Sequence, residues 1–299
     1  RADYRFVTTS PATHHRVNQR IENRQAGSLR DVFGWNRTFQ KRLLPHDIFE
    51  ELAEREIITE TSDGWKSAIR ASSIGAEIFL HSSFPTVSAN SVFFGPDTYR
   101  FVKAIRAHMA MDSRPLVRVL DIGCGSGAAG VVIAKDFSVG EVLMTDINEA
   151  ALQLSRTNSS FAGTKNCLAI NSDLFERVDG QFDLIVSNPP YLNDPLERRY
   201  RHGGGTLGSE LSIKIAEASL PRLSPLGTLL LYTGSTIVDG KDAFYEAIKK
   251  LLRKTSFEWS YEEIDPDVFG DELETNAYKN ADRIAAVVLR VKDREGVRC

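Results

Sequence analysis

The chain has 299 residues, 42% hydrophobic and 26% charged, with a formal net charge of −3. That composition supports one large core with room for a smaller second domain, and it gives no overall electrostatic reason for a nucleic-acid or membrane partner. Three cysteines without CxxC spacing argue against a disulfide framework and suit a reducing cytoplasm, and no apolar run approaches the length of a membrane span.

Residues 1–27 are polar and weakly patterned, and an irregular basic arm is expected there. Residues 1–44 hold nine Lys or Arg against three Asp or Glu, which reads as a solvated face before it reads as a phosphate-binding one. From Ser28 the texture changes. "SLRDVFGW" and "PHDIFEELAEREII" carry apolar residues at helical spacing. "TETSDGWKSAIRASSIGAEIFLHSS" is β-prone around a turn at Asp63-Gly64. Helices followed by a hairpin predict a small winged-helix-like α+β domain over residues 28–90.

Residues 91–299 alternate strand and helix. "LVRVLDI", "EVLMTDI", "NCLAI", "FDLIVS" and "GTLLLYTG" are strands. "AAGVVIAKDF", "NEAALQLSRTNSSF", "LGSELSIKIAEASLPRL" and "DAFYEAIKKLLRK" are helices between or after them, which predicts a parallel, doubly wound sheet. "FEWSYEEI" and "RIAAVVLRV" follow with no helix between, so at least one of them is expected to be antiparallel.

"VLDIGCGSGAAG" joins the first strand of this region to its first helix. Gly125, Gly127 and Gly130 satisfy GxGxxG, which alone would suit a dinucleotide. Asp121, before the first glycine, argues otherwise, because a carboxylate there would repel a pyrophosphate and suit an ammonium. Asp146 ends the next strand and can accept hydrogen bonds from a ribose diol. Ammonium at one end and ribose at the other describe S-adenosylmethionine. Cys124 reads as a small packing residue rather than a nucleophile.

The string resembles the cofactor loop of class I S-adenosylmethionine-dependent methyltransferases, and "NPPY" at residues 188–191 resembles the signature of their amino-methylating branch. The resemblance implies a seven-stranded Rossmann-like catalytic domain over residues 91–299. It also implies a cofactor set of Asp121, Gly123, Cys124, Gly125, Gly127, Asp146, Ile147, Asp173, Leu174 and Asn188, with no metal. "FFGPDTYRF" resembles the segment preceding the domain in HemK-type protein-glutamine methyltransferases, which adds Thr98 to that set. Gly95 departs from the pattern, and Asp97 or Thr98 also reads as a helix cap. Likeness to bacterial N5-glutamine methyltransferases extends over "GGGTLGSELS", "LLYTGSTIVDG" and "DPDVFGDELE".

In that frame the strand "FDLIVS" delivers Asn188 and Pro189 as two acceptors for the N–H groups of a planar amide or amino nitrogen, and Tyr191 as a ring to stack on it. The expected acceptor is a protein glutamine. An adenine or guanine amino group and a small-molecule amide or guanidine present the same nitrogen. A monomer is the default expectation. "RHGGGTLG", residues 201–208, contains the HGGG of some esterases, but no serine has glycine at both −2 and +2, so that reading fails. It is expected instead as a flexible substrate loop, with Arg198, Arg199 and Arg201 either solvated or in contact with substrate.

Overall fold

The computed structural model describes residues 4–86, 88–112 and 114–294. The chain divides into two units, Arg1–Arg100 and Phe101–Cys299.

The first unit holds helices α1 (Pro11–Asn18), α2 (Leu29–Phe33) and α3 (His46–Glu54), followed by strands β1 (Ile58–Thr61), β2 (Gly64–Ser67), β3 (Ile69–Ile74) and β4 (Glu77–Ser82). β1–β2 and β3–β4 are separate antiparallel hairpins. Val32, Phe39, Leu44, Phe49 and Ile58 form a common core. The stretch expected as an irregular arm is packed into this unit. Phe6 is buried, its N–H donates to Ser73 Oγ at 3.0 Å, and Ser73 N–H donates to Phe6 O at 2.8 Å. α1 follows, with Ser10 as N-cap and Pro11 in its first turn. Periodicity could not reveal α1, because "PATHHRVN" has no apolar stripe. Residues 91–100 also cluster with this unit, so the division falls later than residue 90, after which the alternating strand-and-helix pattern is expected to begin.

Helix α4 (Pro96–Met111) leads into the second unit. There follow β5 (Leu116–Ile122), α5 (Ala128–Asp136), β6 (Val139–Asp146), α6 (Glu149–Ala162), β7 (Cys167–Asn171), β8 (Phe182–Ser187), α7 (Glu210–Ser219), β9 (Leu223–Val238), β10 (Lys241–Asp242), α8 (Ala243–Leu252), β11 (Glu258–Asp265) and β12 (Arg283–Lys292). The strand order is β11-β12-β9-β8-β5-β6-β7, with short β10 pairing off β9. β5 through β9 are parallel, and β12 runs antiparallel between β9 and β11. This is the expected Rossmann-like α/β domain, with the reversed strand at the end where the helices ran out.

Two apolar cores cover the faces of the sheet. Val119 and Val186 belong to one, Leu120 and Ile185 to the other, as strand alternation requires. Parallel strands bring their C-terminal ends to a single edge. Ile122 pairs with both Thr145 and Ser187, and Asp146 pairs with Asn171. That register sets the tips of β5, β6, β7 and β8 side by side. Among the described residues no helix is long and apolar enough to cross a membrane, and no cluster of His, Cys, Asp or Glu could hold a metal ion.

Candidate active site

The β5–α5 loop is a backbone turn held from below. Gly123 has φ 68°, and a Cβ there would meet nothing within 4 Å. The glycine is therefore required by the backbone conformation, and the space beside it is open. Gly130 answers a different need: a Cβ would lie 2.7 Å from Met144 Cγ, so only glycine lets α5 lie this close to β6. Cys124 N–H donates to Thr145 O at 2.9 Å, and Asn158 Nδ2 donates to Ser126 O at 2.9 Å. Cys124 Sγ lies 3.2 Å from Ser155 Oγ, and burial pushes its thiol well above the usual range, so it packs and does not attack.

Three aspartates stand along this edge with unequal surroundings. Asp121 is 1% exposed, and its Oδ2 accepts the Gly130 N–H at 3.1 Å. Burial pushes its carboxyl up to about 7, opposed by the Gly130 hydrogen bond and reinforced by the Asp146 charge. Asp146 accepts Gly125 N–H at 3.0 Å and Asn148 N–H at 2.9 Å, which leaves further lone pairs on both oxygens. Burial raises its pKa too, against those amides and the Arg199 guanidinium, which favour the ionised form. Ile147 beside it is 49% exposed, an apolar surface next to the carboxylate. Asp173 is exposed just past β7, and Leu174 follows in the left-handed region at φ 46°. Thr98 lies in the first unit, where its hydroxyl accepts the Gly95 N–H at the start of α4.

At the tip of β8, Ser187 Oγ donates to Ile122 O at 2.8 Å and ties this strand end to that of β5. The ladder stops there, because Pro189 and Pro190 have no N–H to continue it. Among the described residues, neither the Asn188 side chain nor the Pro189 carbonyl takes a hydrogen bond, although their neighbours do. Tyr191 differs from the sequence expectation. Its ring is 6% exposed, lies against Gly234 of β9, and meets Phe269 edge-on with centroids 5.8 Å apart. So placed, it supports the strand exit from the core and offers little face to a ligand.

The glycine-rich stretch after "NPPY" is also more fixed than its composition suggests. Gly203 is buried, its N–H donates to Leu192 O at 2.8 Å, and its carbonyl accepts Leu211 N–H at 2.8 Å. A Cβ on Gly203 would overlap Gly208 O and lie 2.6 Å from Pro190 O. The loop therefore lies backbone to backbone on the strand exit. Arg198 clamps Asp194 through Nε at 2.8 Å and Nη2 at 2.5 Å, and Arg201 pairs with Glu272. Of the three arginines, only Arg199 is exposed, and its charge is felt at Asp146. Sequence spacing gave no sign of the Asp194 clamp, which depends on a loop folding back on itself.

A glycine turn over the tip of the first parallel strand, an acid ending the second, and a free amide at the fourth come together on one edge of the sheet, the arrangement that the resemblance to class I methyltransferases implies. Residues 103–203 match the methyltransferase small domain family. The chain is 28% identical over 188 residues to the release factor glutamine methyltransferase of Koribacter versatilis, covering 58% of this chain and 62% of the relative. It is 31% identical over 198 residues to that of Rhodopirellula baltica, covering 61% and 66%. It is 38% identical over 94 residues to the ribosomal RNA small subunit methyltransferase C of Haemophilus influenzae strain 86-028NP, covering 30% and 27%. The chain thus spans less than two thirds of the length of these relatives. Among solved structures, Methanocaldococcus jannaschii Trm5 in complex with adenosine aligns with TM-score 0.53 at 15% identity, covering 87% of this chain and 63% of that one. M. jannaschii TYW2 in complex with AdoMet aligns with TM-score 0.51 at 14% identity, covering 77% and 87%. These two likenesses show the fold. Residues 103–203 therefore form a methyltransferase small domain.

Proposed function

We propose that the protein transfers a methyl group from S-adenosylmethionine to a planar nitrogen, and that its acceptor is a protein glutamine side chain. The observation that carries this reading is the pair of unengaged acceptors, Asn188 Oδ1 and Pro189 O, at a strand end tied directly to the strand that bears Asp121.

The residues present fit the cofactor. Asp121 is a buried carboxyl whose pKa is raised by burial, and an amino-acid ammonium beside it would favour the ionised form. Asp146 keeps lone pairs for a ribose diol, Ile147 offers an apolar surface for a base, and Asp173 stands past β7 where an adenine amino group could be held. Bound there, S-adenosylmethionine supplies an electrophilic methyl on a sulfonium.

The chain's own residues then do the positioning. An amide nitrogen is a poor nucleophile because its lone pair is delocalised into the carbonyl. Asn188 Oδ1 and Pro189 O, each accepting one of its N–H bonds, fix the amide plane and favour a more pyramidal nitrogen. They also stabilise the positive charge that grows on it. The stiff Pro-Pro backbone and the buried Tyr191 ring keep the two acceptors in place. The alkylated nitrogen becomes acidic, so no strong base is needed. Fraction-resolved labelling of protein, RNA, DNA and small-molecule pools tests the acceptor. The longer alignments to release factor glutamine methyltransferases favour glutamine, whereas the shorter one to a ribosomal RNA enzyme favours a nucleobase amino group. The cysteine content supports a cytoplasmic setting.

Asp121 gives a pH dependence. Its folded pKa, about 7, lies above the ordinary aspartate value, so the stability it contributes to the ligand-free chain is complete below pH ~4 and is lost as pH rises through about 7. A bound ammonium favours the ionised carboxylate, so binding releases a proton and affinity should rise with pH up to about 7 and then level off. Calorimetric titration with S-adenosylhomocysteine between pH 5.5 and 8.5 checks this. Asp121→Asn should flatten the profile.

A further inference from the structure

The first unit contains a small pocket lined by Thr9, His14, Arg70, His81, Phe84 and Phe94, among others, which methyl transfer leaves unused. Arg70 is 4% exposed, and among the described residues no carboxylate pairs with it. One edge of its guanidinium is anchored, with Nε donating to Gly34 O at 2.8 Å and Cζ lying 5.5 Å from the Phe6 ring centroid. Its Nη2 is buried and has no hydrogen-bond partner.

Two more buried polar atoms on the same pocket are in the same position, Thr9 Oγ1 and His14 Nδ1. The His14 tautomer follows from its neighbours. Asn18 Oδ1 accepts Arg37 Nε–H at 2.9 Å, which fixes the amide so that Nδ2 donates to Trp35 O at 2.9 Å and to His14 Nε2 at 3.0 Å. With Nε2 an acceptor, the ring proton sits on Nδ1, and the unpartnered atom is a donor. The ring is held close to Phe84, centroids 4.4 Å apart. His81 is spent: Nδ1 donates to Ser82 O at 3.1 Å and Nε2 accepts from Ser72 Oγ at 2.8 Å. Burial pushes His14 down to about 4 and His81 well below its usual value, so both are neutral at pH 7, whereas Arg70, lowered to about 10, keeps its charge. Pro11 also lines the pocket and brings the positive end of α1 to it.

Buried polar groups are normally satisfied. Here three unsatisfied donors, one of them on an uncompensated cation, lie around one concavity. We propose that this pocket binds a small oxyanion, a phosphoryl or carboxylate group, through Arg70 Nη2, His14 Nδ1 and the Thr9 hydroxyl. The charge inventory suits a single negative charge. The inference is independent of methyl transfer, and its test reads binding alone.

The test titrates the full chain, at constant ionic strength balanced with chloride, with inorganic phosphate, methyl phosphate and acetate, by calorimetry. Saturable binding of one anion per chain is expected. Thr9→Val, which removes only the hydroxyl, should weaken it about ten-fold, as should His14→Phe. Arg70→Gln should abolish it. A preference for methyl phosphate assigns a phosphoryl ligand, and one for acetate assigns a carboxylate. If Arg70→Gln does not fold, Thr9→Val decides. No saturation with any of the three anions, or equal affinity in wild type and Thr9→Val, would overturn the proposal.

Discussion

Asn188→Ala is expected to lower methyl transfer by about a hundred- to a thousand-fold, the range seen when one preorganised electrostatic partner of a transition state is removed. Cofactor affinity should stay within about two-fold, because the aspartates and the glycine loop remain. The substitution takes away an amide that bonds nothing else among the described residues, so the fold should keep its stability. Asn188→Asp is the sharper variant. It keeps an acceptor of the same shape but adds a charge, and some turnover should survive. Single-turnover rates with labelled cofactor, beside a cofactor titration, separate the two effects. An alanine variant with wild-type turnover would leave the two-acceptor account without support.

Gly203→Ala should be nearly as damaging to turnover, although Gly203 is no part of the proposed grip. Its backbone is not in the left-handed region, so alanine is permitted by conformation and refused by space. The added methyl would overlap Gly208 O and press on Pro190 O and on Tyr191 Cα, 2.7 Å away. All three obstacles belong to loop or strand-exit backbone, and none is a flexible side-chain end, so the strand exit itself must move. A displacement of about 1 Å at a positioning element can reduce turnover roughly a hundred-fold. The expected signature is a fall in kcat with the cofactor dissociation constant unchanged. Gly204→Ala is the control. A Cβ there would come within 3.3 Å only of the Glu210 side chain, and although its φ of 79° adds backbone strain, it presses on nothing at the strand exit.

The two variants show where the sequence is informative. The parallel sheet and the edge that carries Asp121, Asp146, Asp173 and Asn188 follow from local patterns: apolar strands, a glycine turn, and prolines that end a strand. Their register follows as well, since parallel strands separated by helices align their C-terminal ends. The orientation of Tyr191 is not legible in the sequence, because a ring at a strand exit can face ligand or core equally well. Only the empty space beside Gly234, which no motif encodes, turns it inward. The "GGGTLG" stretch looked flexible because glycine is permissive. Here three of its glycines adopt positive φ, and Gly203 serves close backbone packing instead. α1 is not legible in the sequence because its polar helix has caps but no stripe, and the packed Phe6 segment depends on partners about 67 residues away in sequence.

The central claim is methylation of a planar nitrogen held by Asn188 and Pro189. The most direct measurement incubates the wild-type protein with methyl-labelled S-adenosylmethionine and fractionated protein, RNA, DNA and small-molecule pools, then digests the labelled fraction and identifies the methylated atom. The account predicts label on an amide nitrogen of glutamine in the protein pool, reduced about a hundred-fold or more with Asn188→Ala. Label on oxygen, carbon or sulfur, or transfer to nitrogen that the alanine variant performs equally well, would contradict it.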